Sequence, residues 1–412
     1  MNLPVSIVGV TIFAVTYVLI SARRLGYLPI DRPSAALLGA IACVAVGVLS
    51  PGEALAAIDD STILLLFGMM GMGAFLGATG FFTRAAQALS LKARTPARLL
   101  ALIVWGAGGL AALITNDAVC VLGAPLVVEL IRKHRLPALP FLLALATAAN
   151  TGSAATLVGN PQNMLCASLG DLSYRAHLLL VGPAAVAGLA INHGLLRLMF
   201  RRQLAAATLA REEATAARVL TTPSLTILAV LTGTVIAYTL GANLAWTAAG
   251  GFALLFILRR EQHAADIWSR IDWSVLVFFA GLFVVVEGLV RSGAPAWFFA
   301  HAPLASLTGF RGWLGQAGVF LVGSNIVSNV PFILVVRDQM ATLADPRLSW
   351  ELLTMASTFA GNLTLIGSVA NIIVAEKSHE VGGLGFWAYL RVGLPLSLLT
   401  TLIGALWIYA VG

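Results

Sequence analysis

Charge is scarce in this chain. Lys and Arg number 25 and Asp and Glu 18 among 412 residues, so charged side chains make up 10%, against about 25% in a soluble domain. Hydrophobic residues make up 59%, and the mean hydropathy is +0.92. A water-soluble fold of this length could not hide so much apolar surface. Cysteine is rarer still. Cys43, Cys120 and Cys166 lie in or beside apolar segments, without a CxxC or a Cys/His cluster, which argues against a structural metal site. There is no HExxH zinc motif and no GxSxG nucleophile elbow, so an intramembrane enzyme has no motif to rest on.

What is there comes in apolar runs of roughly 17 to 25 residues, the length that crosses a bilayer core. Pro4 to Ile20, Pro33 to Leu49, Ala176 to Phe200, Pro223 to Leu240 and Phe386 to Ala410 are examples. The net charge of +7 would suggest nucleic acid in a soluble chain. Here the basic residues fall between the runs and read as topology signals. The first run lacks a basic leader and is followed by Arg23 and Arg24, so it reads as a retained span rather than a cleaved signal peptide.

Alternation of the basic loops places the N-terminus outside, Arg23, Arg24 and Arg32 inside, Asp59 outside and Lys92 inside. The next segment, Ala97 to Ile131, breaks the alternation. It starts beside Lys92, Arg94 and Arg98 and ends at Arg132-Lys133-His134-Arg135, with Thr115-Asn116-Asp117-Ala118 at mid-depth. A re-entrant hairpin with its tip near the bilayer centre satisfies both ends, since irregular backbone at that depth is tolerated inside protein or beside a watery cavity. Two full spans joined by an outside turn are the alternative. Leu139 to Ala167 is interrupted by Asn150-Thr151-Gly152-Ser153 and Gly159-Asn160-Pro161-Gln162-Asn163, so it reads as a broken helix.

The second half repeats this order. Ser328-Asn329-Val330-Pro331 parallels Thr115 to Ala118. Gly361 to Asn371 parallels the Asn-rich break: Thr-Leu-Ile-Gly at 364–367 matches Thr-Leu-Val-Gly at 156–159, and Asn371 matches Asn163. One half begins outside and the other at a cytoplasmic linker, so the two are inverted. Inverted repeats with broken helices meeting at mid-membrane are a secondary-transporter architecture. The expected fold is an all-α polytopic membrane protein of about 10 transmembrane helices, plus two re-entrant hairpins and two broken helices. Its parts are repeat 1 (1–200), a cytoplasmic linker (201–222) and inverted repeat 2 (223–412).

These segments resemble the ion transporter superfamily, which holds arsenite permeases, divalent anion and citrate symporters and one type of sodium/proton antiporter. Pro140 to Asn163, Thr115-Asn116-Asp117 with Cys120, Ser328 to Pro331, and Gly361 to Asn371 are most similar to plant silicon efflux transporters and bacterial arsenite-permease-like relatives. The paired Ser-Asn-Thr signature of the carboxylate symporters appears only as Ala149-Asn150-Thr151 and, loosely, Asn362-Leu363-Thr364.

Asp117 is the one acid of the first half set deep in an apolar segment. A charged Asp at a helix centre costs roughly 2.5–3.5 kcal/mol, so it should face the bundle interior or water. It reads as the proton-coupling residue or as the N-cap of the hairpin's second helix. The expected substrate contacts are Thr115, Asn116, Asn150, Thr151, Asn160, Asn163, Ser328, Asn329, Asn362, Thr364, Ser368 and Asn371. Their amides and hydroxyls both donate and accept, which suits a neutral polyhydroxylated solute. Each Asn has a second reading, repair of broken backbone hydrogen bonds. Asn150 and Asn362 are expected near each other, across one polar cavity. No Lys or Arg lies at either break, which tilts the reading from an anion toward a neutral solute. Cys120 is a candidate arsenic ligand or simply small apolar packing.

The leading function is proton-coupled efflux of a neutral metalloid hydroxide, arsenite or silicic acid. Cation-coupled symport of a di- or tricarboxylate or an inorganic anion, and sodium/proton exchange, are the alternatives. No cofactor is expected; the coupling ion is H+, with Na+ the alternative. The expected setting is the inner (plasma) membrane, multi-pass. The partners are a small inorganic or organic solute and the lipid bilayer, with no nucleic acid and with a homodimer allowed.

Overall fold

A computed structural model describes residues 6–21, 30–209 and 218–412. The expected start of the first run at Pro4, the basic pair Arg23 and Arg24, and the middle of the linker lie outside the described residues. Among the described residues the chain is helical, with no strand.

Among the described residues, eight helices of each half build the membrane body, with shorter or peripheral helices such as Phe81–Lys92 beside them. In the first they are α1 (Ile7–Ser21), α2 (Arg32–Ala45), α3 (Asp60–Ala78), α4 (Pro96–Leu113), α5 (Asn116–His134), α6 (Ala138–Ser153), α7 (Pro161–Gly170) and α8 (Tyr174–Met199). In the second they are α9 (Thr222–Thr239), α10 (Leu244–Leu258), α11 (Trp273–Arg291), α12 (Gly309–Val327), α13 (Asn329–Met340), α14 (Pro346–Ala360), α15 (Val369–Lys377) and α16 (Phe386–Val411). Among the described residues six helices are long and apolar enough to cross a membrane, and α1, α2, α6 and α10 are shorter apolar helices.

The sequence marks where these helices start. Asp31, Asp59, Thr95, Thr115, Asn160, Ser173, Thr221, Asn243 and Asp345 cap α2, α3, α4, α5, α7, α8, α9, α10 and α14, each accepting from a backbone N–H of the first turn. Proline follows the cap in α2, α4, α7, α9 and α14, where its missing N–H costs nothing. Arg132, Lys133 and His134 end α5 at the favourable, negative end of its dipole.

Contacts at the helix ends sort the molecule into two faces. On one, Ser6 N–H donates to Ser292 O (2.8 Å), Arg291 pairs with Glu53 (2.6 Å) and Ser168 donates to Asp59 (2.9 Å). Trp313 Nε1 also donates to Ala405 O there (2.8 Å). On the other, Arg84 reaches Thr221 (3.3 Å) and Arg132 pairs with Glu380 (2.7 Å). The start of α1 and the end of α16 therefore share a face, and the 218–222 segment lies on the opposite one. The halves are inverted.

The packing follows the same symmetry. α2 packs on α11 as α10 packs on α3. The second hairpin limb α5 lies against half-helix α15 of the other repeat, and α13 lies against α7. Lipid tails offer no hydrophobic drive between helices, so close approach of small residues and internal hydrogen bonds must hold them. Gly152 of α6 shows this: a Cβ there would enter the backbone of Gly108 in α4. The hairpin reading holds for Ala97 to Ile131. Its tip ends at the break of α6, where Asn116 N–H donates to Gly159 O (2.9 Å), and does not emerge on the far face.

Candidate functional site

Four helix N-termini converge at the middle of the molecule, those of α5, α7, α13 and α15. Asn116 and Asp117, Pro161 and Gln162, Asn329 and Val330, and Ser368 and Val369 line one small cavity of about 100 Å³. Ser328 lines it too, at the second hairpin tip. Its φ of 72° and ψ of 154° lie in a region that is nearly glycine-only, so the tip is held strained by its surroundings. A second cavity of about 490 Å³ lies beside it, sharing Arg32, Asp117, Phe278, Phe279 and Val369. Its wall includes Arg270, Asp272 and Glu376, exposed on the face that carries Arg132 and the 218–222 segment. Asp117 thus sits between a small inner chamber and a vestibule toward that face.

Thr115, not Asp117, caps α5, its hydroxyl accepting from Ala118 N–H at 3.3 Å, so the cap reading of Asp117 is set aside. Asn116 Oδ1 accepts from the Asp117 N–H (2.9 Å). The Asp117 carboxylate makes no hydrogen bond or ion pair within 3.5 or 4.0 Å among the described residues and is left to face the cavities.

The asparagines form a network behind the chamber. Asn150 accepts from Asn116 Nδ2 (2.9 Å) and Ser368 Oγ (3.0 Å) and donates to Asn362 Oδ1 (3.1 Å) and Asn371 Oδ1 (2.9 Å). Asn362 donates to Thr147 O (3.2 Å) and Thr151 Oγ1 (2.9 Å). Asn163 donates to Ser153 O and Thr156 O, ten and seven residues back (3.2 and 2.9 Å). Asn371 donates to Gly361 O and Thr364 O, again ten and seven back (2.7 and 3.2 Å). Each therefore satisfies the carbonyls freed by its own break. Each also accepts across the repeat boundary, Asn163 from Thr358 Oγ1 (2.6 Å) and Asn371 from Asn150. Asn160 donates to Ser153 Oγ (2.9 Å) and Thr358 Oγ1 (3.2 Å), and Thr364 donates to Asn325 Oδ1 (3.2 Å).

The structure therefore divides the sequence candidates. Thr115, Asn116, Asp117, Ser328, Asn329 and Ser368 line a cavity. Asn150, Thr151, Asn160, Asn163, Asn362, Thr364 and Asn371 line neither; they brace the breaks. Asn150 and Asn362 are near each other as expected, but they touch directly instead of facing across a cavity. Cys120 is fully buried and lines neither cavity, as a small packed side chain. Sequence reading missed Tyr17, Arg32, Gln162 and Asn325, which line the chamber. No Lys or Arg lies at either break, yet Arg32 brings a cation to the chamber: it lies at the start of α2, remote in sequence from both breaks, and reads in the sequence as part of a basic loop.

Residues 17–360 match the profile of a family described as citrate transporter. The chain belongs to this citrate transporter family. It is 32% identical to the silicon efflux transporter LSI3 of Oryza sativa subsp. japonica, covering 98% of this chain and 97% of that one. It is 26% identical to a putative transporter arsB of Dictyostelium discoideum, covering 92% and 87%. A 46 kDa membrane protein of Mycobacterium leprae is 28% identical over 98% of both chains. These relatives place it in the arsenite-permease and silicon-efflux branch of the ion transporter superfamily. The solved Alcanivorax borkumensis YdaH transporter shares the fold, with a TM-score of 0.54 over 98% of this chain and 96% of that one at 16% identity. This citrate transporter family member is a multi-pass membrane transporter of a small solute, not an enzyme.

Proposed function

We propose that the chain exports a small neutral metalloid hydroxide, arsenite or silicic acid, in exchange for protons. The observation that carries this reading is the chamber itself. At about 100 Å³ it falls well below the roughly 300–1,000 Å³ of pockets for larger ligands, and it suits a solute of a few heavy atoms. Its wall offers amides, hydroxyls and helix N-termini that donate to hydroxyl oxygens. Asp117 is an acceptor for hydroxyl hydrogens and would repel a bound anion. The names of the silicon efflux and arsB relatives agree with this solute class. Asp117 carries the coupling proton, and the large cavity is the cytoplasmic entry. Residues 1–200 and 223–412 are the transport repeats and 201–222 a cytoplasmic linker, in the inner membrane. For that orientation, Val411→Cys should react with a membrane-impermeant maleimide added outside intact cells; labelling only after lysis would reverse it.

A second reading, symport of a small anion, is favoured by Arg32 and the converging helix N-termini. One assay separates the two. Proteoliposomes under an imposed pH gradient are offered arsenite, germanic acid or citrate, wild type beside Arg32→Gln. The metalloid reading expects arsenite or germanic acid to move, citrate not to, and Arg32→Gln to change flux by less than about threefold. Citrate flux, lost at least about 30-fold in Arg32→Gln, the loss of a charge-assisted contact of about 2 kcal/mol, would overturn it.

A further inference from the structure

Away from the chamber, one pair of ionisable side chains among the described residues is fully enclosed. His177 is 0% and Glu351 1% exposed, with Nδ1 and Oε2 2.5 Å apart. His177 belongs to α8 of the first repeat and Glu351 to α14 of the second. The other ring nitrogen, Nε2, lies 3.0 Å from Ala154 O, the first residue past α6. Glu351 Oε1 is buried with no partner.

We infer that His177 and Glu351 form a proton-binding site, separate from Asp117, whose occupied form holds the two repeats together on the face away from the vestibule. The argument is one of counting protons. A carbonyl only accepts, so Nε2 must carry a hydrogen to face Ala154 O. A bare Nδ1 lone pair and a carboxylate would repel at 2.5 Å, so one proton lies between them, whichever atom formally holds it. With it, the pair is neutral overall. Without it, a net negative charge is left in an enclosed site, with the Nδ1 lone pair against the carboxylate and Oε1 still unpartnered. The contact must then open, and the proton leaves to the nearby aqueous phase.

The pair lies close to that phase. His177 is the fourth residue of α8 and Glu351 the sixth of α14, roughly 6–9 Å along their axes from exposed helix starts. The vestibule opens on the opposite face. No other charge takes over the role. Cys166 on α7, Tyr174 on α8 and Tyr238 on α9, whose ring lies 5.2 Å from that of Tyr174, are buried ionisable neighbours, Arg337 on α13 is paired with Glu287, and Asp171, Arg175, Arg311, Asp338, Asp345 and Arg347 are exposed at this face. His193 and Arg197 of α8 and Tyr389 and Arg391 of α16 lie toward the other ends of their helices, and Tyr409 of α16 is exposed. Ala154 links the site inward: it adjoins Ser153, whose carbonyl and hydroxyl accept from Asn163 and Asn160.

The expected pH dependence follows from ordinary values of about 6.5 for His and 4.3 for Glu in the opened, hydrated form. Between these values the open pair, His+ and Glu−, holds as many protons as the closed one. Above about 6.5 the open pair holds one fewer. The closed-to-open ratio therefore stays level between about pH 4.3 and 6.5 and falls about tenfold per pH unit above that range.

The test is hydrogen exchange on the full chain in lipid nanodiscs, from pH 5.5 to 8.5, corrected for the intrinsic rate of exchange. Peptides covering 172–180 and 346–356 report local opening. In the wild type their protection should fall about tenfold per pH unit above about 6.5. In Glu351→Gln the amide can donate to a neutral Nδ1, closed and open forms then hold the same number of protons above about pH 6.5, and protection there should be level. Asp117→Asn should keep the wild-type slope, which separates the two proton sites. A level wild-type profile, or an unchanged slope in Glu351→Gln, overturns the inference. If Glu351→Gln does not fold, the pair His177→Leu with Glu351→Leu fills the same interface without buried charge. It must be level too, and a retained slope sinks the idea.

Discussion

Asp117→Asn is expected to give a folded protein that no longer concentrates solute against an imposed pH gradient. The side chain lines both the chamber and the vestibule. It makes no hydrogen bond among the described residues that Asn would have to replace, so the substitution should cost little stability. Asn keeps the shape but cannot exchange a proton. In the wild type, opening to one face and then the other would expose the carboxylate to each aqueous phase in turn, with solute competing with the proton. One charge crossing 100 mV is worth about 2.3 kcal/mol, which sustains a roughly 40-fold gradient of a neutral solute. That gradient should vanish in Asp117→Asn, while downhill solute exchange persists. Flux in vesicles, wild type beside variant, makes the check. If the variant still concentrates solute with an unchanged pH dependence, Asp117 is not the coupling site.

Asn150→Ala is expected to have the largest effect on stability. Its amide joins four side chains: Asn116 at the first hairpin tip, and Asn362, Ser368 and Asn371 around the second break. Truncation removes a partner from each. Asn116 and Ser368 line the chamber, where water can replace the lost bond. Asn362 and Asn371 do not, and each orphaned buried group costs about 1–3 kcal/mol. The expected loss is on the order of 2–6 kcal/mol, a large part of the 5–15 kcal/mol typical of a folded domain. Asn329→Ala is the matched control. Its Oδ1 is already unpartnered and its side chain's only bond among the described residues, to Gly367 O, is 3.4 Å long, so stability should change by less than about 1 kcal/mol while solute affinity falls. Thermal unfolding of the purified variants in one detergent reads both effects. Equal midpoints for Asn150→Ala and the wild type would show that the hub does not hold the repeats together.

A bracing role for Asn150 changes how the two breaks should be understood. Half-helices leave carbonyls without partners at a depth where lipid can offer none. Asn163 and Asn371 satisfy them by the same ten-and-seven spacing, and their own oxygens are then held from the opposite repeat. Substrate-facing chemistry is left to the tips and the half-helix N-termini. Changes at Asn163 or Asn371 should therefore read out first as lost folding, and changes at Asn116 or Asn329 as altered transport.

The sequence by itself determined the membrane class, the repeat, the hairpins and the breaks. These are local properties: run length against bilayer thickness, basic residues between runs, and Asn, Gly and Pro where no continuous lipid-facing helix can stand. It also singled out Asp117, because an acid in an apolar run is costly enough to need a reason. Which polar residues face the solute was decided only by tertiary structure. Asn116 and Asn150 look alike in sequence, yet one reaches a cavity and the other does not, because orientation depends on which helix of the other repeat each one meets. Arg32 was hidden for the same reason, reading as a topology signal until packing brought α2 to the chamber. The His177–Glu351 pair joins residues 174 positions apart, and neither carries a local mark of its partner. A chain of apolar helices writes its spans in composition, but its polar contacts are made across repeats, at distances in sequence that no local pattern records.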